Sequence, residues 1–258
     1  TSLVPAQTLF DLLEAEEPDR WVTPPTFRRL VATPIMANGV LYISTPLYQA
    51  AAIDASTGQT LWVHDPRMYE AGTPAPTPWA HRGVSYWENG GDARIVWGTG
   101  DGHLVAVDAM TGLPAADFGD NGKVDLADDL PRVIRGRRDN LNLLPLSSLS
   151  APLVVGDTII IGSSINDFSI TKEMPPGFSR AYDARTGAHK WDFHNVPQSG
   201  DEFGSDTWGD EAWRYSGNAN TWSNMSADPD LGIVYLPTST PTSDYYGGHR
   251  PGNNLFAE

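Results

Sequence analysis

Short apolar segments separated by turn residues run along most of this chain of 258 residues. Residues 33–37 and 40–45 flank Asn38-Gly39, a dipeptide that favours the two-residue type I′ turn of a β-hairpin. Similar segments occupy residues 82–87, 93–99, 150–155, 158–162 and 233–237. Segments this short, bounded by Gly, Asn, Asp and Pro, predict β-strands, and the fold class that we expect is all-β.

An eleven-residue motif repeats within this pattern, at Ala52–Trp62 and again at Ala181–Trp191. Both copies match Ala-x-Asp-x-x-Thr-Gly-x-x-x-Trp, and a weaker copy covers residues 106–112, with Ala116 at the position of the Trp. Each copy predicts a strand that ends at Asp, a turn closed by Thr-Gly, and a second strand that carries an aromatic anchor. One such unit cannot bury its own apolar face, so the copies must stack against one another.

Stacked units of four strands predict a β-propeller. We place its blades near residues 31–65, 82–118, 149–195 and 220–258, the last of them incomplete. Residues 1–30 are interpreted as an N-terminal approach segment with a short helix over Leu9–Glu17, and Asp117–Leu146 as a surface insertion. Propellers close with typically about four to eight blades, so we expect this chain to be part of a longer protein.

Composition narrows the possible partners. The formal net charge is −15, which argues against nucleic acid and against an anionic membrane surface as a partner. The absence of Cys excludes disulfides and thiolate metal sites. No apolar run is long enough to cross a bilayer, so membrane association would need a segment that is not present in this sequence. An acidic run over residues 201–211 could suggest the paired carboxylates of a glycosidase, but a solvated face is the simpler interpretation.

The repeated motif resembles the tryptophan-docking motif of the quinoprotein dehydrogenases, eight-bladed propellers that bind pyrroloquinoline quinone (PQQ) and a calcium ion. Segments such as Ser150-Ala-Pro, Gly162-Ser-Ser and Gly232-Ile-Val-Tyr-Leu-Pro237 are also similar to segments of that family, especially of its membrane-associated glucose, quinate and polyol branch. The resemblance implies about half of an eight-bladed ring. It also implies a bacterial, periplasmic dehydrogenase that oxidises a sugar, polyol or other alcohol and passes electrons to a quinone or a cytochrome.

The resemblance implies five cofactor-binding residues. Arg82 matches an arginine that the family sets against a PQQ carboxylate, and a guanidinium suits this role because it binds a planar anion bidentately. His81 precedes it, Ser164 matches a serine that bonds the cofactor, and Asn220-Thr-Trp222 matches the segment whose Trp stacks under the quinone. Alternatives stay open from the residues alone: a surface Arg, an ordinary loop His, a small strand-end Ser and a core Trp.

The same resemblance implies a calcium site at Asn166, Asp167 and Thr240. Calcium prefers hard oxygen donors with at least one carboxylate, which Asp167 supplies, whereas Thr240 departs from the usual Asn. A loop Asn-Asp pair is otherwise an ordinary turn. Val31 stands where relatives carry a cofactor-binding Glu, and the family's catalytic Asp lies in a later blade. We therefore predict no catalytic base in this sequence, and we expect the chain alone to lack turnover.

A non-catalytic scaffold is the alternative function, because propellers with this docking motif also occur as assembly proteins without a cofactor. The two functions differ in what they require of Arg82, Asp167 and Trp222. An enzyme needs the three side chains to meet at one central cavity, whereas a scaffold has no reason to carry all three at these spacings.

Overall fold

The computed structural model describes residues 15, 30–75, 79–133, 138–167 and 171–257. Almost all of the approach segment, including the helix predicted over Leu9–Glu17 apart from Ala15, lies outside the described residues. Within those ranges, no helix is long and apolar enough to cross a membrane.

The strands form antiparallel sheets, three of which are four-stranded meanders. The first sheet contains β1 (Ile35–Ala37), β2 (Val40–Ser44), β3 (Ala50–Asp54) and β4 (Thr60–His64). The second contains β5 (Ser85–Asn89), β6 (Asp92–Gly98), β7 (His103–Asp108) and β8 (Lys123–Asp125). The third contains β10 (Leu153–Val155), β11 (Thr158–Ile161), β13 (Ser179–Asp183) and β14 (His189–Phe193). These four-stranded meanders confirm the all-β class and the propeller-blade architecture.

Two further pairs and several short 3-10 helices complete the described structure. The pairs are β9 (Leu146–Ser147) with β12 (Ser164–Ile165), and β15 (Ser226–Asp228) with β16 (Ile233–Tyr235). The 3-10 helices cover Met68–Ala71, Leu141–Leu143, Ser205–Thr207 and Gly209–Arg214. The largest apolar cluster lies between the second and third sheets and includes Leu104 and Ile159, both fully buried.

The hairpin between β1 and β2 has the predicted type I′ turn. Asn38 and Gly39 both adopt positive φ angles, of 50° and 79°, as this turn requires. The strands on either side pair Ala37 with Val40 and Ile35 with Tyr42. The dipeptide therefore sets the register of the first sheet.

The repeated motif has one conformation in all three copies. In the first copy, Asp54 Oδ1 accepts hydrogen bonds from the N–H groups of Ser56 and Thr57, at 2.9 and 2.8 Å. Gly58 then donates its N–H to the Asp54 carbonyl at 2.8 Å with a φ of 73°, a conformation that favours glycine. The same contacts recur at Asp108 with Gly112 and at Asp183 with Gly187. The Asp and the Gly of the motif therefore build the turn.

The aromatic anchor joins one blade to the next. Trp62 of the first copy packs its ring on Gly112 of the second and donates from Nε1 to the Ala109 carbonyl at 2.9 Å. The second copy has no Trp, but Phe118 is fully buried and packs on Gly187 of the third copy. The anchor expected at position 116 is therefore supplied two residues later by a Phe.

The interpretation of Asp117–Leu146 as a surface insertion is wrong for much of its length. Residues Lys123–Asp125 form β8, the outer strand of the second sheet. The segment also buries a series of apolar side chains in the main core: Phe118, Leu126, Leu130, Leu141, Leu144 and Leu146. Its many charged residues suggest exposure, whereas most of its apolar residues face inward, with Leu143 as an exposed exception.

Candidate functional site

Arg82 lies where the first three sheets come together. Its N–H donates to the Leu149 carbonyl at 2.8 Å, and its carbonyl accepts from the Thr33 N–H at 2.8 Å. The guanidinium carbon lies 4.8 Å from the centroid of the Trp222 ring, which is a cation–π contact. Arg82 Nε is buried and has no hydrogen-bond partner among the described residues. A buried donor without a partner is costly, so this guanidinium suits an anion.

A cavity of about 310 Å³ adjoins this guanidinium. Its walls come from the segments that begin each blade, and they include Arg82, Ile35, Val84, Leu153 and Met225. Thr33, Ser85 and Asn224 also line it, so the walls are mixed, with apolar and polar side chains and one cationic group. A concave site of this composition can take a small organic anion.

Close packing fixes the segment that carries Trp222. The Ser150 hydroxyl donates to the Trp222 carbonyl. A Cβ at Gly162 would collide with the carbonyl oxygen of Thr221, so the two backbones can approach only because residue 162 is glycine. The Trp222 side chain itself remains 39% exposed. Part of Trp222 is thus open to solvent while its backbone is held on both sides.

Asn220 connects this segment to Asp167. The buried Asn220 accepts from the Ile165 N–H at 2.7 Å and donates to the Ile165 carbonyl at 3.0 Å. Its Nδ2 also donates to Asp167 Oδ1 at 2.8 Å. Burial and the nearby carboxylate of Asp244 raise the pKa of Asp167 to about 6, although the Asn220 bond opposes this. The hydrogen bond from Asn220 therefore holds the Asp167 carboxylate in place. Its surroundings favour a partner that neutralises its negative charge.

Asn166 and Thr240, the other two predicted metal ligands, are each held by a backbone hydrogen bond. Asn166 donates its N–H to the Pro145 carbonyl at 3.2 Å, and the Thr240 carbonyl accepts from the Ala219 N–H at 3.3 Å. Ser164 is buried on β12, where its carbonyl accepts from the Ser147 hydroxyl at 3.4 Å. The described part of the chain contains no group of three or more His, Cys, Asp or Glu side chains that could hold a metal. A cation here would need neutral oxygen donors beside Asp167.

His81 is enclosed rather than open to the cavity. Its side chain is fully buried, with its ring centroid 4.9 Å from that of Tyr48. Burial lowers the pKa of His81 to about 3, so the imidazole is neutral at physiological pH. A hydrogen bond with the Gly98 backbone opposes this shift but does not outweigh the effect of burial.

Comparison with known proteins identifies the family. Residues 14–258 match the model of the glucose/ethanol/alcohol dehydrogenase β-propeller domain of PQQ proteins. The chain belongs to the PQQ-dependent dehydrogenase family. It is 31% identical over 243 residues to quinohemoprotein alcohol dehydrogenase ADH IIB of Pseudomonas putida, covering 89% of this chain and 31% of the relative. It is 31% identical over 240 residues to a quinate/shikimate dehydrogenase (quinone) of Acinetobacter baylyi, covering 84% and 28%.

Solved structures agree with this assignment. The quinohemoprotein alcohol dehydrogenase ADHIIG of Pseudomonas putida aligns with a TM-score of 0.68 at 29% identity, over 89% of this chain and 31% of that one. A europium-containing methanol dehydrogenase, at 23% identity and a TM-score of 0.57, shares the fold. The chain spans about a third of the length of these quinoproteins.

The structure brings the predicted residues of this quinoprotein chain into two groups. Arg82 lines the cavity and contacts Trp222, and Asp167 is bound to Asn220, two residues before Trp222. Of Arg82, Asp167 and Trp222, only Arg82 lines this cavity, so the expectation that all three meet at one cavity is not met in the described structure. Asp244 was missed by the sequence analysis, because a single Asp in a polar loop gives no signal until the fold places it near Asp167.

Proposed function

We propose that this chain forms a PQQ-binding part of a dehydrogenase that oxidises a sugar, polyol or other alcohol. The observation that carries the proposal is Arg82, which lines a cavity, has a buried Nε without a hydrogen-bond partner among the described residues, and lies over the partly exposed Trp222 ring. A scaffold has no use for such a donor, because burying Nε costs free energy that no hydrogen bond among the described residues offsets. PQQ has planar rings and carboxylates, so it matches both the indole and the guanidinium.

Each residue then has a separate task. Arg82 binds a carboxylate of PQQ, and a guanidinium orients the anion because it donates two parallel hydrogen bonds. Trp222 stacks on the rings, and the Ser150 hydroxyl keeps the Trp222 backbone in place. Bound PQQ supplies the two-electron acceptor for alcohol oxidation, which no protein side chain provides.

We further propose Asp167 as the carboxylate ligand of a calcium ion, with Asn166 and Thr240 as neutral oxygen donors. Asn220 donates to Oδ1 of Asp167, which orients the carboxylate and leaves Oδ2 for the cation. The raised pKa of Asp167 supports this role, since a divalent cation would offset the repulsion from Asp244 that contributes to the shift.

The substrate, acceptor and location are part of the same proposal. Relatives are named as alcohol, quinate/shikimate and glucose dehydrogenases, and some of their names specify a quinone or a haem. We propose an alcohol or sugar as substrate, and a quinone or a cytochrome as acceptor. We propose the periplasm as the location, with membrane association through a segment outside this sequence.

Equilibrium dialysis with free PQQ and calcium tests the proposal directly. We expect the chain to bind PQQ, and Arg82→Gln to weaken binding on the order of tenfold or more, because a charged hydrogen-bond donor is lost. Arg214→Gln is the matched control, since Arg214 is an exposed arginine that pairs with Glu211. Absence of PQQ binding, or equal loss in both variants, would contradict the proposal.

A further inference from the structure

Arg132 forms an unusual set of contacts within the segment that follows β8. Its guanidinium donates to three backbone carbonyls: Nε to Met174 at 2.8 Å, Nη1 to Arg214 at 2.7 Å, and Nη2 to Ser216 at 2.7 Å. No carboxylate in the described part of the chain accepts a hydrogen bond from it. A guanidinium that donates to backbone carbonyls and not to a carboxylate does not form an ion pair. Its effect is to fix the loops whose carbonyls it contacts.

The backbone on both sides of Arg132 is anchored in the core. Leu130 is buried in the main core, and Val133 packs against the same cluster. Arg132 therefore projects from a fixed point and connects that point to two loops, one through Met174 and one through residues 214–216.

The two loops that Arg132 joins also pack directly on each other. A Cβ at Gly217 would collide with the carbonyl oxygens of Met174 and Pro175, so the backbones touch there. Asn218 donates its N–H to the Pro175 carbonyl at 3.0 Å, and Gly177 donates its N–H to the Asn218 carbonyl at 2.6 Å. The chain then reaches Asn220, two residues further on.

Asn220 is the residue that holds Asp167 and precedes Trp222. The backbone thus runs from Ser216, whose carbonyl Arg132 binds, through Asn218, which is hydrogen-bonded to the loop of Pro175 and Gly177, to Asn220, which binds Asp167. We propose that Arg132 is a positioning residue that sets Asn220, and through it Asp167 and Trp222, in the geometry that binds the cofactor and the cation. Its relevance to catalysis rests on the proposed function, whereas its effect on the loops does not.

Amide hydrogen exchange of the full chain, without cofactor, tests the inference. Arg132→Gly is the sharpest variant, because Arg132 has a φ of 65°, which glycine adopts without strain. We expect exchange of the Met174 and Gly177 amides and of residues 214–220 to accelerate on the order of tenfold or more. Millimolar guanidinium should restore protection by occupying the vacated site, and Arg132→Lys should not, because one ammonium cannot reach three carbonyls.

Arg138→Ala is the matched control. Arg138 lies in the same segment and also contacts backbone, at the Asp101 and Gly102 carbonyls, but its other bonds go to the Asp125 carboxylate and not to the Asn220 loop. Its loss should change exchange near residues 101–102 and 125, and leave residues 214–220 unaffected. Equal acceleration of residues 214–220 in both variants, or no acceleration with Arg132→Gly, would overturn the inference.

PQQ dialysis on the same variants separates the inference from the proposed function. If the wild-type chain binds PQQ, Arg132→Gly should bind it more weakly and recover with guanidinium; unchanged affinity would overturn the positioning role. If the wild-type chain fails to bind PQQ, the proposed function fails, and the exchange results alone decide whether Arg132 fixes the loops.

Discussion

The indole of Trp62 lies so close to Gly112 that a Cβ added to this glycine would be 2.6 Å from ring atom Cδ2. Gly112 is therefore glycine for two reasons: its φ of 70° and the ring that covers it. Gly58 has nearly the same φ, 73°, but no described atom within 4 Å of the corresponding position. An alanine at Gly58 therefore measures the cost of a left-handed residue alone. An alanine at Gly112 also measures the cost of displacing the Trp62 ring.

We predict that Gly112→Ala destabilises the chain more than Gly58→Ala. Both variants place a Cβ in the left-handed region, which costs about 1–2 kcal/mol. Gly112→Ala also displaces the ring, and overpacking of this kind adds about 1–3 kcal/mol. Chemical denaturation followed by Trp fluorescence measures both free energies of unfolding. Equal losses would show that the ring does not press on Gly112 in solution.

We predict that Phe118→Ala costs about 3–5 kcal/mol of stability, as expected for loss of a buried aromatic side chain. Phe118 is fully buried and packs on Gly187, where it replaces the Trp that the motif lacks. Met110→Ala is the control, because Met110 lies in the same repeat and is 83% exposed. Similar unfolding midpoints for the two variants would rule out Phe118 as the anchor.

The fold was predictable where one local rule decides the structure. Asn38-Gly39 fixed a hairpin, and the Asp and Gly of the motif built the same turn in all copies. The segment from Asp117 was mispredicted because its charged residues suggested exposure. Nothing local shows that Phe118 lies under Gly187 of the next blade, since that contact exists only once two sheets have packed.

We predict that His81 makes the chain sensitive to acid. Burial lowers its pKa from 6.5 in the unfolded chain to about 3 in the folded one, so the folded state binds fewer protons between these values. Stability contributed by the neutral imidazole is complete above pH 6.5 and falls by about 1.4 kcal/mol per pH unit as the pH decreases toward 3. Urea unfolding of wild type and His81→Gln from pH 7 to 4 measures this slope.

The His81→Gln variant should lose less stability than the wild type over this range, because glutamine does not titrate. His249→Gln, which replaces a histidine that binds the Thr242 carbonyl and forms no ion pair with a described carboxylate, serves as the control and should keep the wild-type slope. Parallel curves for the wild type and His81→Gln would mean that His81 is not enclosed as the structure shows.

The candidate site was predictable only through resemblance. Spacing alone did not distinguish Trp222 from the aromatic anchors, and Arg82 was an ordinary turn arginine until the fold placed it at a cavity. Arg132 carried no signal at all. Its three partners are backbone carbonyls in two loops that lie more than forty positions further along the chain. Every residue has a backbone carbonyl, so the sequence does not show which carbonyls an arginine will bind.

The stacking role of Trp222 gives the last prediction. Arg82 lies over this ring at 4.8 Å, so the indole contributes both a surface for PQQ and a support for the guanidinium. Trp222→Leu should weaken PQQ binding about three- to tenfold, from the loss of about 0.5–1.5 kcal/mol of stacking, and Trp222→Phe should retain part of it. Trp191→Leu is the control, because Trp191 is similarly exposed, at 38%, but lies on β14. Equilibrium dialysis is the suitable measurement, since it does not depend on the fluorescence of the residue replaced. An unchanged affinity in Trp222→Leu would remove the stacking surface from the proposed site and leave Arg82 as its only support.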